Sequence, residues 1–308
     1  MKLHQCMTAA WLVCAGAGAA AQSSVTVYGK LDAGFRKAIG SEAKEIATSG
    51  DSRLGFRGTE SLGGGLSAFF AIEHRFFPDT GTVDGAQFWK GISHVGLASD
   101  YGRVGLGRQY TAAFSLAQNQ IDPFGGDTVA QLRDAVMRVG GITKVRIDGS
   151  VRYDAKLGDL SVAASVAESD KNGGPDRPVS VGALYRNGPL MLVAGHEDPA
   201  GAQDKQWNLG AGYTVGPATM TAGYASGTMN SGVDAKGWML GLNWAVGAGN
   251  FKAGYGEQKR ADIKTVQKLG LGYHHSLSKR TLLYVDMGHD RKATVAKSGY
   301  DLGILHTF

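Results

Sequence analysis

The sequence has little cysteine and little proline, and it has no long apolar run beyond its first residues. Its 308 residues include 2 cysteines and 7 prolines. Both cysteines, Cys6 and Cys14, fall in a segment that starts with Met1-Lys2, continues as an apolar run from 7 to 20 and ends in Ala19-Ala20-Ala21. This order predicts a secretory signal peptide over residues 1–21. The exported chain would then have no cysteine, which excludes a disulfide scaffold, a thiol nucleophile and a cysteine metal site.

The remaining composition excludes two further classes. Lysine and arginine number 32 against 27 aspartates and glutamates, with both signs scattered along the chain, so no nucleic-acid partner is indicated. No run of 18 apolar residues follows residue 21, so no transmembrane helix is predicted. The 47 glycines stand in short alternating runs, which favour strands and tight turns. A soluble all-β protein and a membrane barrel both fit this composition.

Residues 22–308 form one predicted domain that contains sixteen segments with two-residue alternation. These segments cover approximately 25–36, 51–60, 65–77, 87–98, 102–109, 146–156, 160–168, 178–187, 189–197, 205–215, 217–226, 236–246, 250–258, 265–276, 280–290 and 299–308. The links between them alternate in length, with long links such as 37–50 and short ones such as 61–64. An up-and-down barrel with an even number of strands has short turns at one rim and long loops at the other. The fold of a β-sandwich does not require long and short connections to alternate along the chain.

The strand that starts at Lys236 separates its side chains by size. One face carries Trp238, Leu240, Leu242, Trp244 and Val246, and the other face carries mostly small or polar residues. The interior of a barrel with sixteen strands is too wide for side chains to fill, so the apolar face is expected to contact lipid and the polar face to line water. Aromatic residues near the strand ends suit the two membrane interfaces. The predicted fold is therefore all-β, a 16-stranded antiparallel transmembrane β-barrel.

Strict alternation also places the charged residues of the strands in the lumen. Basic residues outnumber acidic ones in this set, which consists of Lys30, Asp32, Arg53, Arg57, Glu73, Arg75, Arg152 and Asp154. Arg108 has the lipid-facing parity of Val104 and Leu106, and its charge would cost about 2–4 kcal/mol at the membrane midplane. We therefore expect a break at Gly107 that turns Arg108 into the pore.

Residues 110–145 are the longest segment without alternation. The centre of this segment reads Asp122-Pro123-Phe124-Gly125-Gly126-Asp127-Thr128. A connection of this length without strands is unusual in a compact fold unless it is functional. Because the flanking strands predict a closed barrel, we expect this loop to fold into the lumen and to act as a constriction. Pro123 fixes its φ angle and Gly125-Gly126 permit a tight bend, so the motif is suited to a sharp change of direction.

The mature chain resembles the general porins of the Gram-negative outer membrane, in particular the β-proteobacterial type. The resemblance rests on Ser24-Val25-Thr26-Val27-Tyr28-Gly29, Leu31-Asp32-Ala33-Gly34, Gly58-Thr59-Glu60-Ser61-Leu62-Gly63-Gly64-Gly65-Leu66, Val95-Gly96-Leu97, Leu106-Gly107-Arg108-Gln109 and the stretch from Phe124 to Thr128. It implies that the third external loop narrows the barrel halfway along, opposite a cluster of basic wall residues. It also implies a homotrimer that contacts outer-membrane lipid and lipopolysaccharide. The chain departs from the family pattern of Pro-Glu before Phe-Gly-Gly, because Pro123 holds the Glu position and Asp122 supplies the carboxylate.

These features predict a water-filled diffusion channel for small hydrophilic solutes and ions. The predicted pore constriction comprises Arg53, Arg57, Glu73, Arg75, Arg108, Asp122, Phe124, Gly125, Gly126, Asp127 and Arg152. Arginine stays charged at any relevant pH, and basic groups that face loop carboxylates create a transverse field that selects ions by sign. The excess of basic groups predicts a preference for anions, with small anionic or polar solutes as partners. No cofactor and no metal are expected.

Two other classes stay open. An outer-membrane barrel enzyme of the lipase or protease type could use His74, His94, His196, His274 or His289 together with serine and aspartate residues. No Gly-x-Ser-x-Gly elbow and no His-Glu-x-x-His motif occurs, and such enzymes tend to be smaller barrels with filled interiors. A soluble secreted β-protein, such as a lectin-like binder, would instead bury the large apolar face in a dry centre.

Overall fold

Sixteen long strands form one closed antiparallel barrel in the computed structural model, as the alternation predicts. The structure describes residues 24–308, so the predicted signal peptide lies outside the described residues. The strands are β1 (Ser24–Lys37), β2 (Glu45–Ala47), β3 (Arg53–Gly63), β4 (Leu66–Phe77), β5 (Thr82–Val83), β6 (Ser93–Ser99), β7 (Gly102–Tyr110), β8 (Arg146–Leu157), β9 (Leu160–Ala167), β10 (Val179–Asn187), β11 (Leu190–Asp198), β12 (Lys205–Val215), β13 (Ala218–Thr228), β14 (Asp234–Val246), β15 (Gly249–Arg260), β16 (Ile263–Ser276), β17 (Thr281–Asp290) and β18 (Ser298–Thr307). Two of these, β2 and β5, are short additions in loops, and the other sixteen make the wall. The barrel closes where β1 pairs with β18, for example Lys30 with Thr307.

The connections are sorted between the two rims. One rim has two-residue turns such as 158–159, 188–189 and 216–217, and the other rim has long loops such as 78–92 and 168–178. The link between β15 and β16 is an exception at the long-loop rim. There Ala261 and Asp262 both adopt positive φ, which makes a tight two-residue hairpin turn. In membrane barrels the short turns face the periplasm and the long loops face outward, so this sorting assigns the two rims.

One predicted boundary was wrong. The fourth wall strand begins at Ser93, although the alternation predicted a start near 87. Residues 87–92 instead form a loop in which the carbonyl of Phe88 contacts His74 and the carbonyl of Lys90 accepts a hydrogen bond from Arg108. These side-chain contacts replace the ladder that a strand would form.

The two faces of the wall differ as predicted. On β14 the side chains of Trp238, Leu240 and Trp244 are 38%, 54% and 47% exposed, whereas Met239 between them is 1% exposed. Large apolar residues are exposed in the same way on strands around the barrel, for example Val25, Leu97 and Leu209. An apolar outer face around a closed barrel is the surface that a lipid bilayer covers. Within residues 24–308, no helix is long and apolar enough to cross a membrane.

The segment between β7 and β8, residues 111–145, is the only part of residues 24–308 with helical turns. These turns are Phe114–Gln118, Asn119–Ile121, Arg133–Met137 and Val139–Gly141. We call residues 111–145 the inner loop because its side chains pack on the wall face opposite the exposed apolar one. A side chain added at Gly210 would collide with Ile121, and one added at Gly223 would collide with Met137. Glycine on the wall therefore gives the inner loop room to lie close to the strands.

An apolar cluster holds the inner loop against the wall. It joins Ala117, Ile121, Leu132, Val136 and Met137 of the inner loop to Met191, Val193 and Met239 of β11 and β14. Burying one such large aliphatic side chain stabilises by about 1.5–3 kcal/mol. The inner loop is thus fixed on one side of the barrel, over β10 to β15.

Candidate functional site

A polar cavity of ≈ 480 Å³ lies between the inner loop and strands β3, β4 and β8. We call it the central cavity. Its lining consists of Asp51, Arg53, Arg75, Tyr110, Phe114, Ser115, Asn119, Gly125, Asp127, Arg133, Asp134, Val145 and Arg146. Four of these residues are arginines and three are aspartates. The alternation of β3 and β4 accounts for two of the arginines, since Arg53 and Arg75 are direct cross-strand partners.

Arg75 is almost fully neutralised by its neighbours. Its Nη2 lies 2.7 Å from Glu73 Oε1, and its Nη1 lies 3.3 Å from Asp51 Oδ2. The same guanidinium donates a hydrogen bond to the Tyr110 hydroxyl at 3.0 Å. A buried guanidinium of this kind is stable only because its donors have acceptors. Arg75 therefore contributes less free positive charge to the central cavity than its position suggests.

Arg146 has a different environment. Its Nη2 donates to the Tyr110 hydroxyl at 2.8 Å, and its guanidinium lies 4.4 Å from the centre of the Tyr110 ring. That ring stacks on Phe114 at 5.4 Å. Within residues 24–308, no carboxylate lies at ion-pair distance from Arg146, and its buried Nε has no acceptor. Arg146 thus presents a positive charge that the protein leaves unpaired.

The inner loop brings a guanidinium of its own to the central cavity. Arg133 Nε lies 3.0 Å from Asp134 Oδ1, and Arg133 donates to the carbonyls of Gly125 at 2.9 Å and Gly126 at 3.2 Å. Gly126 has a φ of 76° and lies directly against this guanidinium, so any side chain there would displace it. Arg133 therefore locks the bend after Phe124.

Asp134 sits between two arginines of the inner loop. It forms ion pairs with Arg133 and Arg138, each at 3.0 Å. Burial raises the pKa of Asp134, but the hydrogen bond and charge of Arg133 and the charge of Arg138 outweigh that effect and hold the pKa below its usual value of 3.8. The carboxylate is therefore ionised at neutral pH, and it balances part of the local positive charge.

Asp122, which the sequence analysis predicts to be part of the constriction, is not in the lining of the central cavity. It is 7% exposed, and its carboxylate accepts backbone hydrogen bonds from Phe124, Gly126, Leu132 and Arg133 at 2.9–3.1 Å. Burial raises the pKa of Asp122, while the backbone donors of Arg133, Leu132 and Phe124 partly offset that rise. Because Asp122 lies one residue before Pro123, its carboxylate can accept hydrogen bonds from the backbone N–H groups on both sides of the bend. Asp122 organises the inner loop, and it is not part of the lining of the central cavity.

Both ends of the inner loop are attached to wall side chains. Arg152 donates to the carbonyls of Tyr110 at 2.8 Å and Thr111 at 3.2 Å, and it pairs with Asp154. The fully buried Glu197 accepts hydrogen bonds from the Thr111 hydroxyl and the Lys144 backbone N–H. The carboxylate of Glu197 therefore joins the first and the penultimate residue of the inner loop.

The tip of the inner loop is attached on the far side of the barrel. Asp127 forms an ion pair with Lys30 of β1 at 3.0 Å. The backbone N–H of Val129 donates to Asp301 of β18 at 3.0 Å, and the Ser49 hydroxyl donates to the same carboxylate oxygen at 2.7 Å. The inner loop thus reaches from β7 and β8 to the seam between β18 and β1.

The predicted break next to Arg108 is present, but its consequence differs. The pairing of β7 with β8 shifts between Gly107 and Gln109, as expected for a bulge. Arg108 then bonds Asp148 at 2.5 Å and the carbonyl of Lys90 at 2.9 Å. These partners, a carboxylate of β8 and a loop carbonyl, hold the guanidinium, and Arg108 is not in the lining of the central cavity.

The structure brings four of the eleven predicted residues to the central cavity, namely Arg53, Arg75, Gly125 and Asp127. Five others, apart from Asp122 and Arg108, are not in the lining. Glu73 pairs with Arg75, Arg57 lies over the Tyr28 ring, and Arg152 bonds the start of the inner loop. Phe124 is buried near Gly270 of the wall, and the Gly126 carbonyl accepts a hydrogen bond from Arg133. Charged side chains that a strand directs inward are therefore often bound by neighbouring side chains or carbonyls and do not reach the cavity.

Sequence reasoning missed four charged lining residues, Asp51, Arg133, Asp134 and Arg146, and also Tyr110. One signal was available, since Arg146 shares the parity of Arg152 on the same strand. The inner loop has no periodicity, so nothing in its sequence pointed Arg133 or Asp134 toward the cavity. The contacts of Asp51 and Tyr110 with Arg75 depend on strands and loops that are distant in the chain.

The closed barrel, its exposed apolar exterior and the charged cavity within it define a class: an integral β-barrel of the outer membrane with a polar interior. A family model described as Gram-negative porin matches residues 8–294. The chain belongs to this family. In line with that membership, the protein is a porin that resides in the outer membrane.

Two curated relatives are outer-membrane porins. Outer membrane porin protein 32 of Delftia acidovorans is 47% identical over 103 residues, which is 31% of this chain and 29% of that protein. An outer membrane porin protein of Bordetella pertussis is 30% identical over 233 residues, 63% of this chain and 59% of that protein. The matched regions thus span less than two thirds of the length of either relative.

Solved structures support the fold over nearly the whole chain. An anion-selective porin from Comamonas acidovorans has a TM-score of 0.79 and 28% identity, and the match covers 93% of this chain and 100% of that one. OmpT of Vibrio cholerae in a trimer form has a TM-score of 0.74 and covers 93% of this chain and 99% of that one. Its identity of 14% supports the fold alone. Structures with this fold therefore include a trimer.

Proposed function

We propose that this protein is a water-filled diffusion channel for small hydrophilic solutes and ions, that it favours anions, and that the inner loop narrows its lumen at the central cavity. The observation that carries the preference for anions is the unpaired guanidinium of Arg146, with Arg53 beside the same cavity. Neither residue forms an ion pair within residues 24–308. An anion that crosses here meets two uncompensated positive charges.

The charge balance of the lining supports the same direction. Four guanidiniums and three carboxylates line the central cavity, which leaves an excess of one positive charge in the lining. The field across the passage is uneven, because the free positive charges lie on the β3 and β8 side while Asp127 and Asp134 belong to the inner loop. Such a field orients solutes that carry a dipole and biases ions by sign.

Reversal potentials in planar bilayers test this proposal. With a gradient of potassium chloride across the membrane, the sign of the potential reports whether chloride or potassium crosses faster. We expect a sign that corresponds to chloride. A potassium preference for the wild-type channel would overturn the claim of anion selectivity while leaving the channel itself in place.

The assembly is proposed on similar grounds. We propose a single porin domain from 22 to 308, a leader over residues 1–21 that is removed on export, and a homotrimer surrounded by lipid and lipopolysaccharide. The exposed apolar belt supports contact with lipid, and the family resemblance supports the trimer. Gel migration without heating, compared with migration after heating, measures whether three chains stay together.

A further inference from the structure

The outer face of the wall carries an apolar groove over β9 to β14. Two adjoining cavities of ≈ 680 and ≈ 410 Å³ make up this groove, and they share Ala183, Ala194 and Leu209 in their linings. The larger cavity has no charged residue in its lining. We call the two cavities together the outer groove.

The outer groove opens toward the membrane. Leu209 and Leu240 line it, and both belong to the exposed apolar face of the barrel. On the opposite face of the same strands the inner loop fills the space, since Ile121 lies against Gly210 and the apolar cluster continues from there. A molecule that enters the outer groove therefore comes from the lipid layer.

Small side chains form the floor of the outer groove. Ala183 and Ala194 are direct cross-strand partners, and so are Ala211 and Ala222 on the next two strands. Large side chains such as the exposed Tyr224 border this floor. An acyl chain that lies between them gains contacts on more than one side.

Two lysines lie on the same face, between the outer groove and the long-loop rim. Lys236 precedes Trp238 of the groove by two residues on β14, which corresponds to about 7 Å along the strand. The Trp238 ring lies 5.6 Å from the Tyr255 ring of β15, and Lys259 follows Tyr255 on the same face. Since aromatic rings are favoured at membrane interfaces, both lysines stand at the level of the lipid headgroups.

These lysines are neighbours of one another. Lys236 pairs with Lys259 across β14 and β15, and Lys259 pairs with Lys264 across β15 and β16. Like charges directly opposite each other on neighbouring strands are destabilising. An anion placed between these ammonium groups would remove this repulsion.

The protein supplies no such anion to two of the three lysines. The outer face of β14 to β16 has two carboxylates, of which Glu257 pairs with Lys264 and Asp234 accepts a hydrogen bond from a threonine hydroxyl. Within residues 24–308, neither Lys236 nor Lys259 forms an ion pair, and both side chains are exposed. The charge of this stretch is thus complementary to an anionic headgroup.

We propose that the outer face of β10 to β15 binds one lipid of the outer leaflet that carries a phosphate in its headgroup. The phosphate lies between the ammonium groups of Lys236 and Lys259, and an acyl chain lies in the outer groove beside Trp238. Clusters of basic residues next to apolar membrane surface recognise anionic headgroups in this way. The inference rests on the proposed contact with outer-membrane lipid, and it is independent of the proposed preference for anions.

Native mass spectrometry of the folded porin, after exchange into a neutral detergent that removes bound lipid, tests the proposal. The probes are dipalmitoyl phosphatidate, the uncharged glycolipid monogalactosyl dipalmitoylglycerol and the chain-free glycerol 3-phosphate. We expect one phosphatidate per chain, bound at least about tenfold more tightly than the glycolipid. Lys236→Gln and Lys259→Gln should each weaken phosphatidate binding by about fivefold, the factor that corresponds to about 1 kcal/mol per lysine.

Ala222→Phe tests the groove separately from the charges. Ala222 lies between Ala211 and Leu240 on the outer face, so a benzyl group there fills the floor, and we expect the loss of tight phosphatidate binding. Ala253→Phe adds the same group on the outer face of β15, outside both cavities, and Lys292→Gln removes an exposed charge from the loop before β18. Both controls should bind phosphatidate like the wild type.

Four outcomes would each overturn the proposal. Equal binding of phosphatidate and glycolipid would show that the lysines do not recognise the phosphate, and displacement of phosphatidate by equimolar glycerol 3-phosphate would show that no acyl chain is bound. Unchanged binding in Ala222→Phe would exclude the outer groove, and a changed number of subunits in this variant would assign the face to a second copy of the chain. Bilayer conductance of the same preparations reports whether the channel is intact, so failure of the lipid site and failure of the channel are distinguishable.

Discussion

Arg75 and Arg146 donate hydrogen bonds to one and the same oxygen, the hydroxyl of Tyr110, at 3.0 and 2.8 Å. The two guanidiniums differ in their remaining partners, since Arg75 is paired with Glu73 and Asp51 and Arg146 has no carboxylate at ion-pair distance within the described chain. Two residues of the same type, fixed by the same acceptor, are therefore expected to contribute unequally to selectivity.

The first prediction compares these two arginines. Removing a unit charge about 4 Å from an ion in water changes its energy by about 1 kcal/mol, or roughly fivefold in partition. We expect Arg146→Gln to reduce the permeability ratio of chloride to potassium by up to this factor, and Arg75→Gln to reduce it less. Reversal potentials in a salt gradient measure both. Arg108→Gln serves as the control and should leave the ratio unchanged, because Arg108 lies outside the central cavity. A larger effect of Arg75→Gln would contradict the proposed division of charge.

The second prediction concerns Asp122 as an organiser of the inner loop. Asp122→Asn replaces a carboxylate that accepts four backbone hydrogen bonds by an uncharged amide with one acceptor oxygen, so at least one donor loses its acceptor and the other hydrogen bonds lose their charge assistance. We expect a loss of about 2–4 kcal/mol in the stability of the inner loop. Limited proteolysis of the inner loop in detergent reports this loss. Asp127→Asn, which removes only a partly exposed ion pair, should have a cost of about 0–1 kcal/mol. Equal protease resistance of the Asp122 variant and the wild type would contradict the role of Asp122 as an organiser of the inner loop.

The third prediction concerns acid. The folded pKa of Asp134 is lowered, so its contribution to stability is complete above the unfolded value of 3.8 and disappears as the pH falls through the lower, folded value. The inner loop should therefore keep its ion pairs with Arg133 and Arg138 at about pH 4 and lose them only in stronger acid. Current noise of single channels between about pH 7 and about pH 2.5 measures this transition. In Asp134→Asn the increased current noise should already be present at neutral pH. If this variant shows no more noise than the wild type, Asp134 does not stabilise the inner loop.

The fourth prediction uses two neighbouring residues of β13 on opposite faces. A Cβ at Gly223 would lie 2.7 Å from Met137 Sδ and 2.9 Å from Ile121 Cγ2, so Gly223→Val should force the inner loop away from the wall. Overpacking of this kind typically costs about 1–3 kcal/mol. Ala222→Val adds a similar volume on the exposed outer face and should have no effect. Single-channel conductance is the readout, and identical conductance of the two variants would show that the inner loop does not lie against Gly223.

The wall of this barrel could be predicted closely from the sequence. The alternation of apolar and polar residues places strands such as β12 at the observed bounds, and it separates Trp238 and Leu240 from Met239. A single physical requirement, lipid outside and polar groups inside, acts on every second residue of each strand. Because that requirement is local and repeated, a short stretch of sequence is enough to reveal it.

The lining of the central cavity could be predicted only in part. Arg53 and Arg75 follow from strand parity, but Arg152 and Arg108 have the expected charge and are taken up by Tyr110, Thr111 and Asp148. The bends of the inner loop depend on contacts between residues far apart in the chain, such as Thr111 with Glu197. The alternation predicts on which face of the wall a side chain lies, but it does not predict which groups the side chain contacts there.

The attachment of Val129 to Asp301 bears on how the molecule is built. The two residues are separated by 172 positions, and Asp301 belongs to the last strand of the barrel. The backbone N–H of Val129 therefore has this carboxylate as its acceptor only when the last strand is in place. We expect a chain truncated before β18 to lose this one attachment of the tip and to keep the ion pair between Asp127 and Lys30.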